Sequence, residues 1–113
     1  MTEAIERTVL DYFEGWFDGD AARMERALHP ELAKRTLRDD GLDTTTATEM
    51  IEATAAGTGR KLDVGDRGIE IEITHVDPPN ASVVVHSTLY TEFIHLVETT
   101  NGWRIVNTLW QRA

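Results

Sequence analysis

The 113-residue chain contains no cysteine, which excludes disulfide staples and thiolate metal ligands. Basic residues are scarce as well: 11 Lys and Arg stand against 20 Asp and Glu, for a formal net charge of −9. Nucleic-acid binding is driven by neutralising phosphates with Lys and Arg. The local basic cluster of Lys34, Arg35 and Arg38 is too thin for that task, so no nucleic-acid partner is expected and the acidity reads as serving solubility. No stretch approaches the ~18 consecutive apolar residues of a membrane span, so no membrane partner is expected. The opening MTEAIERTVLDYF is acidic and amphipathic and lacks the basic start and apolar run of a secretion signal. A cytoplasmic location is the expectation. No glycine-rich loop follows a strand pattern, as a phosphate cradle requires. Three imidazoles suffice for a zinc site, but no H-x-H or H-x-x-x-H spacing links His29, His86 and His95. Neither a metal nor a cofactor is expected.

What the chain does have is ordinary apolar content, 41%, enough for one core and one domain over residues 1–113. Ile5, Val9, Tyr12, Phe13, Trp16 and Phe17 recur at helical spacing over residues 2–18. Thr2 is the expected cap and Gly19 the left-handed stop. Asp20 caps a second short helix with Met24, Ala27 and Leu28 inward, ended at His29 by Pro30. Residues 31–45 are irregular, with a short strand expected over 33–37 and a turn at Asp40-Gly41. Thr46 and Glu49 match a capping box that opens a third helix with Met50, Ile51, Thr54 and Ala55 buried. From Ile69 the period falls to two: Ile69, Ile71 and Ile73 alternate with Glu70 and Glu72. A turn at residues 77–80 and strands over 82–89, 90–99 and 103–111 complete a meander. Helices first and four antiparallel strands after them give an α+β class.

The stretches YFEGWFDGDAARMERALHPELAKRTL, ATEMIEATAAG and FIHLVETTNGWRIVNTLW cover most of the chain. Together they resemble the nuclear transport factor 2-like superfamily, and within it the small bacterial proteins grouped as putative lumazine-binding, near the polyketide cyclase-like group. The resemblance implies a cystatin-like α+β cone, in which three N-terminal helices close one side of a strongly curved antiparallel sheet around a pocket. It implies no single activity, because the superfold hosts isomerases, dehydratases, cyclases, hydrolases and non-catalytic binders. Ketosteroid isomerase-like members use an inward carboxylate as base, with a tyrosine and a protonated carboxylic acid as oxyanion donors. Epoxide hydrolase-like members use an Asp-Arg-Asp set. Here the strand carboxylates Glu70, Glu72 and Glu98 alternate with apolar neighbours and read as solvent-facing, so no catalytic residue is carried over.

The candidate polar groups come from strand register. A three-residue loop, residues 100–102, would pair Glu98 with Arg104, Val97 with Ile105, His95 with Asn107 and Phe93 with Leu109. That register puts His95, Asn107 and Phe93 on one face, assigned to the concave side. In the preceding hairpin, pairing Val76 with Ala81 would set His75 against Ser82 and Ile71 against His86, bringing His86 to the isoleucine face. His29 would lie at the pocket mouth, with Tyr12, Trp16 and Met50 as walls. The opposite face, with Leu96, Val106 and Trp110, would need a cover, most economically a second copy pairing sheet against sheet.

Three readings follow. In the first, the chain binds a small apolar or aromatic ligand through Tyr12, Trp16, His29, Met50, His86, Phe93, His95 and Asn107, probing it with a few directed hydrogen bonds. In the second it is an isomerase, dehydratase or cyclase, with His95 as general acid or base and Asn107 orienting it or polarising a carbonyl. In the third it is an interaction module that uses the sheet face. His95 and Asn107 satisfying each other structurally is the plain alternative to a site.

Overall fold

A computed structural model describes residues 2–113. Helix α1 (Glu3–Asp18) stops on Gly19, whose φ of 68° is the left-handed conformation that glycine adopts without a steric penalty. Thr2 makes no capping bond, contrary to expectation. Its own angles are already helical, so its hydroxyl is not aimed at the following amides. Helix α2 (Ala21–Ala27) opens on Asp20, whose carboxylate accepts the Arg23 amide at 3.1 Å. It ends earlier than expected, because the residues before Pro30 take extended angles by starting a strand. Strand β1 (Leu28–Arg38) therefore contains both His29 and Pro30. Strand β2 (Gly41–Thr46) was not foreseen, since its threonines are β-branched but polar on both faces and show no apolar alternation. Helix α3 (Ala47–Ala55) carries the expected capping box, with Thr46 and Glu49 each satisfying the other's amide.

After a short 3₁₀ turn (Arg60–Leu62) come β3 (Glu70–Asp77), β4 (Asn80–His86), β5 (Tyr90–Thr99) and β6 (Gly102–Arg112). The six strands lie in the order β2-β1-β6-β5-β4-β3. All neighbours are antiparallel except β1 and β6. The fold is α+β, with three helices packed on a mostly antiparallel sheet. Ile5, Val9 and Phe13 of α1 join Val83, Ile94 and Ile105 of the sheet in one buried cluster. Burying each such side chain contributes about 1.5–3 kcal/mol.

Two bulges decide which residues face the helices. In the β3–β4 hairpin the expected pairs Val76–Ala81 and His75–Ser82 are present, but an irregularity between Ile73 and His75 then sets Ile71 against Val85 and Glu70 against His86. In the β5–β6 hairpin Phe93 pairs with Leu109 and His95 with Asn107, as expected. Nearer the turn the pairs are instead Leu96–Ile105, Val97–Arg104 and Glu98–Trp103. Val106 is the extra residue. One extra residue reverses a strand's parity, so Trp103 and Ile105 are buried under the helices while Leu109 is exposed on the other face.

The α1–α2 corner is fastened by charge. Asp11, 5% exposed, accepts Arg23 Nε and both Arg26 Nε and Nη2, each at 2.9 Å. Burial alone would raise the Asp11 carboxyl, but hydrogen bonds from Arg26 and Arg23 outweigh it and hold the group below its ordinary value of 3.8. A depressed carboxylate stabilises the fold above its unfolded-state value, and that stability is lost as pH falls through the lower folded value. Asp11→Asn should therefore cost about 1–3 kcal/mol at neutral pH, discounted toward the lower end because Arg26 is largely exposed. Urea unfolding of both proteins across acid pH checks this. The gap should narrow below 3.8, and a gap constant with pH would show that ionisation is not what fastens the corner.

Candidate functional site

Beyond the Val106 bulge, the inward positions are Glu92 and Tyr90 on β5 and Thr108 and Trp110 on β6. On β1, Lys34 and Arg38 project to the same side, whereas Arg35 between them does not join the lining. The thin basic cluster of the sequence is thus split between the two faces of a strand. Helix α1 adds Tyr12, Phe13 and Trp16 from one helical stripe, and α3 adds Met50 and Ala53. These elements bound a cavity of about 200 Å³.

Its floor is polar. Glu92 is 2% exposed, and burying a carboxylate is costly unless it is paired and hydrogen-bonded. Glu92 Oε1 accepts the Tyr12 hydroxyl and the Thr108 hydroxyl, each at 2.9 Å. Lys34 Nζ lies 3.9 Å from the same oxygen and donates to the Tyr12 hydroxyl. Lys34, Tyr12 and Glu92 therefore form a continuous hydrogen-bonded chain drawn from β1, α1 and β5. Glu92 Oε2 accepts no bond among the described residues and is not sealed from solvent. The space that Glu92 borders is this cavity. Burial pushes the Tyr12 phenol well above its ordinary range, helped by the adjacent Glu92 charge. Burial also lowers Lys34 below 10.5, a shift that the Glu92 charge opposes but does not cancel.

The walls are aromatic. Tyr90 meets Trp110 edge to face at 5.6 Å and lies parallel to Phe17 at 6.3 Å. Trp16 is pressed in place by the loop after α3: a Cβ on Gly59 would come within 2.4 Å of the Trp16 carbonyl oxygen. At the rim, Arg38 pairs with Asp43 of β2 at 3.0 Å and lies over the Trp110 ring.

Of the residues expected from sequence, Tyr12, Trp16 and Met50 line this cavity. Phe93, His95 and Asn107 do not. His95 Nδ1 and Asn107 Nδ2 do sit side by side, at 3.4 Å, but on the convex face. The cause is the parity of β5, where Glu92, Ile94 and Leu96 point inward and Phe93 and His95 outward. His95 borders an open groove of about 440 Å³ with His75, Asp77 and Ser82 instead. His86 is exposed at the end of β4, displaced from the isoleucine face by the β3 bulge. His29 is half-buried on β1, and its Nδ1 accepts the Glu31 amide at 3.0 Å in a local turn. The sequence reading missed Glu92 and Lys34, because a charged residue on a strand reads as solvent-facing. The available signal was that Glu92 shares its parity with Ile94 and Leu96.

A family model described as putative lumazine-binding matches residues 1–111. No curated protein matches the chain. Among solved structures, a nuclear transport factor 2-like protein of unknown function from Silicibacter pomeroyi is 15% identical, with a TM-score of 0.77 over 98% of this chain and 94% of that one. A nuclear transport factor 2-like protein from Cytophaga hutchinsonii is 13% identical, with a TM-score of 0.74 over 100% and 98%. A ketosteroid isomerase-like protein from Erwinia carotovora atroseptica is 15% identical, with a TM-score of 0.68 over 97% and 94%. At these identities the likeness is one of fold.

The two polar pairs should respond differently to mutation. Tyr12→Phe removes one of two hydroxyl donors from a buried carboxylate and the acceptor of Lys34, and should cost about 1–3 kcal/mol. His95→Ala, on an exposed face, should stay within about 0.5 kcal/mol of the parent. Chemical denaturation of both variants checks the assignment, and a larger loss from His95→Ala would reverse it.

Proposed function

Because the chain belongs to the putative lumazine-binding family, we propose that it binds a small, flat, largely apolar molecule in the cavity between α1, α3 and the sheet. The observation that carries this reading is the Glu92 carboxylate, whose Oε2 takes no donor among the described residues, paired with Lys34 at the floor of an aromatic enclosure. A carboxylate oxygen that takes no donor from the protein and is open to the cavity can accept one from a ligand. A ligand edge bearing an N–H or O–H would meet Oε2, and an adjacent carbonyl or ring nitrogen would meet Lys34. The faces of the ring would lie against Trp16 and Trp110. At about 200 Å³ the cavity is smaller than the ~300–1,000 Å³ of drug-sized ligand sites, which favours a compact heterocycle. The family's name points to a flat nitrogen heterocycle with such an edge. The acid–base role considered for His95 and Asn107 gains no support from this cavity, which they do not border.

Calorimetric titration with lumazine and related flat heterocycles tests the reading. Binding should weaken by about tenfold or more in Glu92→Gln, since a hydrogen bond to a charged group is worth about 1.5–3 kcal/mol. No heat and no thermal shift across the series would overturn it.

The convex face supports a second copy as partner, on different residues from those first expected. Leu96 is buried inside and unavailable, while Trp110 lines the cavity and also borders the outer hollow. Of the exposed apolar side chains, Leu37, Phe93 and Leu109, at 75%, 45% and 48%, border one hollow. Light scattering at about 50 μM, far above the dissociation constant of a stable dimer, should report twice the chain mass. Phe93→Asp with Leu109→Lys should restore the single-chain mass. A parent protein that runs as one chain would remove the dimer.

A further inference from the structure

We infer that Lys34 captures the carbonyl of a small aromatic aldehyde or ketone as a reversible imine, an activity that rests on the reading of this cavity as a ligand site. The geometry is that of a nucleophile with its own proton relay. Lys34 Nζ sits at the cavity floor on a side chain 13% exposed. It donates to the Tyr12 hydroxyl, which in turn donates to Glu92 Oε1. The distance from Nζ to Oε1 is 3.9 Å, too long for a direct hydrogen bond, so the phenol stands between amine and carboxylate. Nζ lies 5.4 Å from the centre of the Trp110 ring, which offers a flat surface to a ring carried by the carbonyl. A lysine amine enclosed by apolar and aromatic groups is a recognised route to a nucleophile near neutral pH. Burial lowers Lys34 below its ordinary value, and the Glu92 charge opposes that shift without cancelling it.

The step balances without an added reactant. The lone pair of neutral Lys34 attacks the carbonyl carbon, forming the C–N bond as the C=O π pair moves to oxygen. One amine proton passes through the Tyr12 hydroxyl to Glu92 and on to the alkoxide, giving a neutral carbinolamine. The C–O bond then breaks with the nitrogen lone pair behind it, and the second amine proton follows the same relay to the departing hydroxide. Both N–H protons end on that oxygen as water, and Glu92 returns to its carboxylate.

The chain provides its own control, since its two lysines are Lys34 and the exposed Lys61. Benzaldehyde with cyanoborohydride at neutral pH, followed by peptide mass spectrometry, reads the rate at each lysine. Lys34 should be labelled at least about tenfold faster than Lys61, a modest share of what positioned acid–base groups supply. Tyr12→Phe should slow labelling at Lys34 and leave Lys61 unchanged. Labelling of Lys61 as fast as or faster than Lys34 in the parent protein overturns the inference, and this comparison needs no variant to fold. Benzyl alcohol, which has the same ring and no carbonyl, separates the two claims by thermal shift. If benzyl alcohol stabilises the protein and benzaldehyde leaves Lys34 unlabelled, the imine alone fails. If neither molecule stabilises it and Lys34 stays unlabelled, the ligand site fails too.

Discussion

A carboxylate in the interior must be surrounded by donors, and Glu92 draws its donors from three other elements. Tyr12 comes from α1, Thr108 from β6 and, through the tyrosine, Lys34 from β1. Apolar packing between a helix and a sheet tolerates small slides, since one methyl contact replaces another at little cost. A hydroxyl 2.9 Å from a buried oxygen does not. The position of α1 over the sheet is therefore set to hydrogen-bond precision at this point, and the cavity beside it inherits that precision. All of this demand falls on Oε1, so the arrangement that satisfies the fold also leaves the second oxygen for something else.

The elements that could be read from sequence are those whose signal is local. Asp20, Gly19 and the Thr46–Glu49 box act within a few residues, and each lies where its chemistry placed it. The β3–β6 meander followed from turns and alternation. What escaped depends on partners far along the chain. Strand β2 is a strand because β1 lies beside it, and β1 is long because β6 supports it. The pairs His95–Asn107 and Phe93–Leu109 were legible, but the face they occupy was not. The alternation of β5 admits two readings: Phe93, His95 and Val97 inward, or Glu92, Ile94 and Leu96 inward. Hydropathy argues against a glutamate in the core. The second reading holds because Tyr12, eighty residues earlier, brings a hydroxyl to that glutamate, and no pattern within the strand reports this.

The same parity divides the sheet between two kinds of contact. The concave side of β5 and β6 presents Glu92 and Trp110 to the cavity, with Thr108 buried behind Glu92, while the convex side presents His95, Phe93 and Leu109 outward. A substitution at one position on either strand thus acts on one side only, so the enclosed polar chain and the outer apolar surface can vary independently. The Val106 bulge sits at the boundary: removing it would return Asn107 and Leu109 to the face of Ile105 and turn Thr108 and Trp110 outward.

The place of β6 in the sheet has a temporal consequence. It is the last of the six strands in chain order, yet it stands in the interior, with β1 on one side and β5 on the other. Until it emerges from the ribosome, β1 and β2 have no link to the remaining strands, and Glu92 lacks Thr108. A nascent chain can close hairpins and pack α1, α2, α3 and β1 together, but it cannot join β1 and β2 to the remaining strands. Contacts between β1 and β6 span most of the sequence, the kind of pairing that slows folding and leaves strand edges open meanwhile. The cavity is therefore complete only once β6 makes the sheet continuous.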